Sequence, residues 1–338
     1  MSERIGVGFN ADLTVPEITR EAKLSEAQGF DSLFMHEHSF GRDAFSFLNS
    51  IAGSTSSIRL GVACLTPYTR HPVVLATSML TLQESSGGRA VLGIGTGFPM
   101  RLDMMGIRHD KPIGALKDTI AICRGIWGGN ALTYSGSNYA VKNVKALTGK
   151  PLNRIPIYVA GWKRQMLNLT GKLADGYVAK GGESTQSMRQ IVTAIETAAT
   201  SNGRKLSDID IAAYLLTLVE KSKEEALNAA RKDPFVNYML SVQDDYLYEG
   251  TGIDPIKKKP IAENYFRGNL AASSSFVTDE MLEAFTLVGT PDQVCDRVKE
   301  YQKAGLNLPV LQSISMKAPD IERVLGAGAV LIGKMEPK

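Results

Sequence analysis

Apolar and polar positions along this chain follow two alternating periods. Short runs rich in Val, Ile, Leu, Phe and Ala read as buried strands. They fall at Arg4–Phe9, Phe30–Met35, Ile58–Leu65, Arg89–Ile94, Ile155–Val159, Gly176–Ala179, Ile209–Leu218 and Leu308–Ser313. Between them lie stretches with apolar residues at helical spacing. In Val15–Gln28 these are Val15, Ile18, Ala22, Leu24 and Ala27, with Pro16 in the first turn and Gly29 just past the end. The same reading predicts helices over Ala44–Gly53, Pro72–Glu84, Ile113–Trp127, Gln165–Leu173, Met188–Thr200, Lys223–Arg231 and Pro291–Ala304, and a closing helix begun by Asp320–Leu325. Leu132–Val141 alternates like a hairpin.

About eight strands separated by helices predict one (β/α)8 TIM barrel over residues 1–338. A doubly wound open sheet is the competitor, and its first strand-helix junction should carry a GxGxxG fingerprint. The junction here is Gly6-Val7-Gly8-Phe9-Asn10-Ala11, without the third glycine. Asp233–Ser275 breaks the rhythm and is too long for a plain connecting loop. An insertion beside the barrel mouth explains it, with a mobile lid and a dimer contact both open.

Composition narrows the function classes. The chain is 43% hydrophobic and 22% charged with a net charge of +3, ordinary for a globular protein with a large core. No long basic block or aromatic-basic interleaving points to nucleic acid, and Lys257-Lys258-Lys259 reads as a solvated loop. No apolar run approaches the roughly 20 residues of a membrane span, and Met1–Phe9 lacks a signal-peptide pattern. Cys64, Cys123 and Cys295 fit neither a disulfide framework nor a CxxC metal site. The expectation is a reduced, cytoplasmic protein acting on a small-molecule substrate.

Candidate chemistry sits at strand ends, where α/β barrels keep it. Phe34-Met35-His36-Glu37-His38-Ser39 follows the second strand. Its histidine spacing is not the helical HExxH zinc pattern, so no metal is expected. A His-Glu-His at a strand end can instead give hydrogen bonds and a proton to a bound cofactor. Of the other histidines, His71 stands ready to cap the helix after it and His109 lies in a polar, solvated loop. Gly95-Thr96-Gly97, Gly161-Trp162-Lys163-Arg164 and Gly181-Gly182 are glycine-containing loops after three successive strands. The second, with two cations at a helix start, can cradle an anion. Together the three would converge on one mouth.

Residues Arg59 to Gly97 resemble the bacterial-luciferase-like superfamily. The motifs are Thr66-Pro67-Tyr68-Thr69-Arg70-His71-Pro72, Ser86-Gly87-Gly88-Arg89 and Leu92-Gly93-Ile94-Gly95-Thr96-Gly97. Further matches are Ile155-Pro156-Ile157-Tyr158-Val159, Leu173-Ala174-Asp175-Gly176, Asp208–Tyr214 and Phe285–Pro291, with 233–275 the poorest part. Within the superfamily the chain is most similar to the branch that uses the 8-hydroxy-5-deazaflavin coenzyme F420, including methylenetetrahydromethanopterin reductase. That resemblance implies hydride transfer between the coenzyme's C5 and a substrate carbon, of a methylene-tetrahydropterin or a similar planar compound. It also implies a homodimer or higher homo-oligomer.

The same resemblance implies the site. Glu37 and His38 stand where the branch has Asp-His at the cofactor ring, and they are the expected catalytic acids. Ala63 and Cys64 fall where relatives have a non-proline cis peptide in a bulged third strand. Thr66 and Gly95, Thr96 and Gly97 belong beside the ring, Gly161, Trp162 and Lys163 at the cofactor phosphate, and Gly181 at the next strand end. The chain also departs from the pattern. Gly8 replaces a glutamate of the reductase pattern, Phe98 replaces an acidic residue found in many relatives, and Lys163-Arg164 stand where Gly-Pro is frequent. A Gly8→Glu substitution is therefore expected to restore an acid. Two rival readings share the fold: a flavin mononucleotide (FMN)-dependent monooxygenase, and a flavin- or deazaflavin-binding protein without catalysis.

Overall fold

The computed structural model describes residues 4–333. Chain order gives β1 (Gly6–Phe9), β2 (Ser32–Met35), β3 (Arg59–Leu65), β4 (Ala90–Ile94), β5 (Leu132–Ser135), β6 (Ala140–Val144), β7 (Ile157–Ala160), β8 (Gly176–Ala179), β9 (Asp210–Val219), β10 (Leu287–Gly289) and β11 (Leu308–Ser313). Strands β1, β2, β3, β4, β7, β8, β9 and β11 pair in parallel, and β8–β9 pairing closes the ring. This is the expected (β/α)8 barrel. Strands β5 and β6 form the predicted antiparallel hairpin outside it.

Bulky rings fill the barrel, and glycines on neighbouring strands make room for them. A Cβ at Gly8 would lie 2.6 Å from the Tyr214 ring, one at Gly61 2.3 Å from Phe34, and one at Gly176 2.5 Å from Tyr158. Real Cβ contacts do not come that close, so β1, β3 and β8 each need glycine where a ring crosses them. Phe34 stands between the other two rings, with centroids 6.1 Å from Tyr158 and 6.4 Å from Tyr214. Val91, Val178, Ala212 and Val310 pack around these rings as a separate interior cluster.

The floor of this interior is ionic. Arg4 pairs with Asp210, Arg59 reaches Asp31 at 2.7 Å, and the Tyr158 hydroxyl donates to Asp210. Burial pushes the Asp210 carboxyl up, but hydrogen bonds from Arg4 and Tyr158 and the charges of Arg4 and Arg59 hold it below the usual range. These residues lie where β1, β3 and β9 begin, the barrel face associated with stability rather than catalysis.

Three features were not predicted. Strand β10 extends the sheet by pairing with Thr217–Val219, the far half of β9. Its three residues are too few to show a period. A short helix, Pro99–Met104, follows β4. The segment after Asp233 is helical: Pro234–Val242, Lys258–Phe266, Leu270–Ser275 and Asp279–Phe285. The helical run thus extends ten residues past the predicted end at Ser275, to Phe285. It has its own apolar core, where Val236, Leu240, Leu247, Ile261, Leu282 and Phe285 pack with Leu216 and Leu218 of β9.

Asp210→Ala removes the acceptor shared by Arg4 and Tyr158. Urea unfolding should show a loss of about 2–3 kcal/mol, below the figure for a fully buried pair because this cluster is partly exposed. A change under about 0.5 kcal/mol would mean the ionic floor contributes nothing net.

Candidate active site

The carboxyl ends of the strands open into two adjoining chambers. The inner one has a volume of about 260 Å³ and the outer about 610 Å³. His36, Glu37, Phe98, Arg101 and Lys180 border both, so the chambers form one cleft.

Strand β3 makes the inner wall. Its register with β4 shifts between Val62 and Leu65, and the Ala63–Cys64 peptide is cis. Both residues border the inner chamber. Burial pushes the Cys64 thiol up to about 12, so it is neutral and serves as wall rather than nucleophile. Thr66 follows, with a buried hydroxyl oxygen that has no hydrogen-bond partner. Opposite it, Gly97 has φ +80, and a Cβ there would lie 2.9 Å from that oxygen. Gly95, Thr96, Gly97 and Gly161 all border this chamber, beside the small side chains of Ala63, Ala160 and Ala179.

Trp162 forms the outer edge of the inner chamber. It stacks on Tyr246 at 5.5 Å, and the Lys180 ammonium lies 4.4 Å from its ring centroid. Lys180 also reaches Asp244 at 3.4 Å. Lys163 borders neither chamber. It is the exposed residue that starts the helix Arg164–Leu173, with the backbone N–H groups of that end open beside it. Gly181 borders the outer chamber only, and its N–H donates to the buried Glu183 carboxylate at 3.0 Å.

The His-Glu-His run ends β2 and turns into the mouth. Glu37 accepts from the Ala44 N–H at 3.3 Å and lies 3.7 Å from Arg70, whose other partner is Asp43. Burial pushes the Glu37 carboxyl up, against the lowering charge of Arg70. His38 borders the outer chamber, with its Nδ1 accepting from the Phe40 N–H at 3.3 Å. Burial lowers its pKa, and the Arg101 charge adds to that. His71 caps the helix Pro72–Ser85 as expected, accepting from Val73 N–H. His109 is not merely solvated: its ring nitrogen lies 3.0 Å from Asp103.

Several lining residues escaped sequence reasoning. Tyr214 lies in the Ala-Leu run of β9, and its hydroxyl donates to the Ala63 carbonyl at 3.1 Å. Phe235, Tyr238, Met239 and Val242 bring one face of the helix Pro234–Val242 to the outer chamber. The detectable signal was Tyr214 and Gln312, polar side chains inside largely apolar strands. The expectation for Gly8→Glu is also corrected. The Tyr214 ring occupies the space above Gly8, so a carboxylate cannot be placed there without moving the ring.

A closed parallel barrel with a bulged third strand and a cleft at the carboxyl ends of its strands defines a TIM-barrel protein with its candidate site on the face where such barrels keep their chemistry. The chain belongs to the luciferase-like monooxygenase family, whose model matches residues 2–308. It is 33% identical over 302 residues to 5,10-methylenetetrahydromethanopterin reductase of Methanolobus tindarius, covering 89% of this chain and 91% of that one. It is 31% identical to the Archaeoglobus fulgidus protein of the same name, over 92% of this chain and 93% of the relative. The solved coenzyme F420 dependent tetrahydromethanopterin reductase from Methanopyrus kandleri superposes with a TM-score of 0.87 at 27% identity, covering 99% of this chain and all of that one.

If the ring occupies the place of the missing acid, Gly8→Ala should cost about 1–3 kcal/mol in thermal or urea unfolding. Pairing it with Tyr214→Leu should cost less than the sum of the two single changes, the mark of residues in contact. Strict additivity would show that the ring does not constrain position 8.

Proposed function

We propose that this chain is an F420-dependent oxidoreductase of the methylenetetrahydromethanopterin-reductase kind, carrying a hydride between the coenzyme's C5 and a carbon of a small-molecule substrate. The observation that carries it is the inner chamber. Its lining combines backbone and small side chains with the rings of Trp162, Tyr177 and Tyr214, which suits a planar ring, and it contains one buried hydroxyl, Thr66, with no partner. The names of the relatives support the same cofactor.

Bound in its reduced form, the coenzyme would supply the hydride. Ala63 and Cys64 would back one face of the ring. Thr66 would meet a polar edge, and Gly95, Thr96, Gly97 and Gly161 would let backbone approach closely. Trp162 would close the chamber. Lys163 and the N–H groups of Arg164 and Gln165 at the start of Arg164–Leu173 would hold a phosphate outside it. The outer chamber takes the substrate. There Phe40, Phe98, Phe235 and Met239 would offer apolar surface to it. Burial disfavours the Glu37 anion and so favours the protonated form a donor would need, against the charge of Arg70. His38 and Gly181 complete the substrate wall.

The helices of 234–285 belong to this reading as part of one catalytic domain, a wall of the cleft. A homodimer and a cytoplasmic setting belong to it as well. The first comes from the resemblance and the second from the cysteine pattern and the absence of a signal pattern or membrane-length run in the sequence; no helix among the described residues is long and apolar enough to cross a membrane.

A fluorescence titration separates the cofactor readings. F420 should bind at least about tenfold more tightly than FMN. Thr66→Val should weaken F420 about tenfold, since about 1–2 kcal/mol follows the loss of one buried hydrogen bond. Preference for FMN would move the protein to the monooxygenase reading, and binding of neither would leave no oxidoreductase.

A further inference from the structure

The first strand offers no acid, and the Tyr214 ring closes the space beside Gly8. Stacked on that same ring is another titratable group at the junction of the two chambers. We infer that His36 exchanges the proton with the substrate in this chain, and that Gln312 is the positioning residue that holds it for that role. The inference rests on the oxidoreductase reading above.

Geometry carries it. His36 is the first residue after β2 and borders both chambers. Its ring lies 4.2 Å from that of Tyr214 at 27°, and Tyr214 is pinned through its hydroxyl to the Ala63 carbonyl. The ring plane is therefore set by the wall of the cofactor chamber itself. Its Nε2 lies 3.0 Å from the Gln312 Oε1, and the Gln312 Nε2 donates to Asn10 Oδ1 at 3.0 Å. With its amide nitrogen committed to Asn10, Gln312 presents an acceptor to His36. The imidazole then carries its hydrogen on Nε2. Nδ1 is left without a hydrogen-bond partner among the described residues. The neighbouring candidates differ: Glu37 is committed to the Ala44 N–H and Arg70, and His38, whose Nδ1 accepts from the Phe40 N–H, borders the outer chamber only.

The proton balance is simple. Oxidised, the substrate gives a hydride to the coenzyme C5 from the carbon and a proton from its heteroatom to the neutral His36 Nδ1. In the reducing direction the C–H bond forms with the hydride, an electron pair withdraws onto the heteroatom, and His36 releases its Nδ1 proton there. The proton shed by the reduced coenzyme restores the balance. Around the ring stand Tyr214 from β9, Gln312 from β11 and Glu37 and His38 in its own loop after β2. Asp12, Arg101 and Lys180 line the same cleft. Burial lowers the His36 pKa and the His38 charge adds to this, against the hydrogen bond to Gln312. Below that pKa the ring is a cation, and above it Nδ1 is free to accept.

Two variants and two readouts test this. His36→Gln should lower kcat at least about 100-fold with reduced F420 and methylenetetrahydromethanopterin, while F420 affinity stays within about threefold. Gln312→Glu places a carboxylate on Nε2. It should move the His36 titration, read by imidazole NMR, about one unit or more to higher pH without any substrate. The pH profile of kcat should move with it. Only four histidines share the spectrum. A kcat within about threefold of wild type for His36→Gln would overturn the assignment. So would a proton on Nδ1 in the free protein, or a titration unmoved by Gln312→Glu. If wild type binds F420 but does not turn over that pterin, the NMR result decides. If wild type fails to bind F420, the oxidoreductase reading fails first and the His36 role with it.

Discussion

Ring-over-glycine packing inside the barrel is the constraint on which the rest depends. Tyr158, Phe34 and Tyr214 cross glycines on β8, β3 and β1, at distances where no side chain could stand. The lowest ring ties into the ionic floor through Asp210. The highest reaches the Ala63 carbonyl and lies flat against His36. One stack therefore runs from the stability face to the mouth. The absent acid at position 8 then has a physical reason: a glutamate and the Tyr214 ring cannot share the space.

Backbone proximity shapes the next shell. Gly93 of β4 lies against the bulge of β3, where a Cβ would be 2.6 Å from the Val62 carbonyl oxygen. The bulge can be followed closely by its neighbour only because that residue is glycine. The outer chamber is built differently. Half of β9 continues beyond the barrel, takes β10 as a partner, and offers Leu216 and Leu218 to the helices of 234–285. Those helices carry Phe235 and Met239 to the cleft. The Trp162–Tyr246 stack and the Lys180–Asp244 pair then join this wall to the cofactor side. Substrate wall and cofactor chamber are coupled by side chains, not by barrel strands.

Much of this was legible in the chain. Barrel strands are continuous apolar runs because both faces are covered, and each was visible as such. The loops after β4, β7 and β8 were visible through their glycines, and positive φ at Gly97, Gly161 and Gly181 gives the reason. What escaped was long-range. Nothing local places Tyr214 over Gly8, residues 206 positions apart, or Gln312 beside His36, because barrel closure brings them together. The helical wall escaped for another reason. Its helices are short and share one core, so none shows a strong period alone. Lys163 was legible by type and position, and it starts the helix Arg164–Leu173 outside both chambers.

Direct hydride transfer in the cleft is the central claim, and an isotope label tests it most directly. Protein supplied with F420 reduced and deuterated at C5, together with methylenetetrahydromethanopterin, would be quenched and its product examined by mass spectrometry. The account predicts one deuterium on the product's new methyl group and none washed out to water. Label recovered in water, or peroxide formed under oxygen in place of the labelled product, would contradict it.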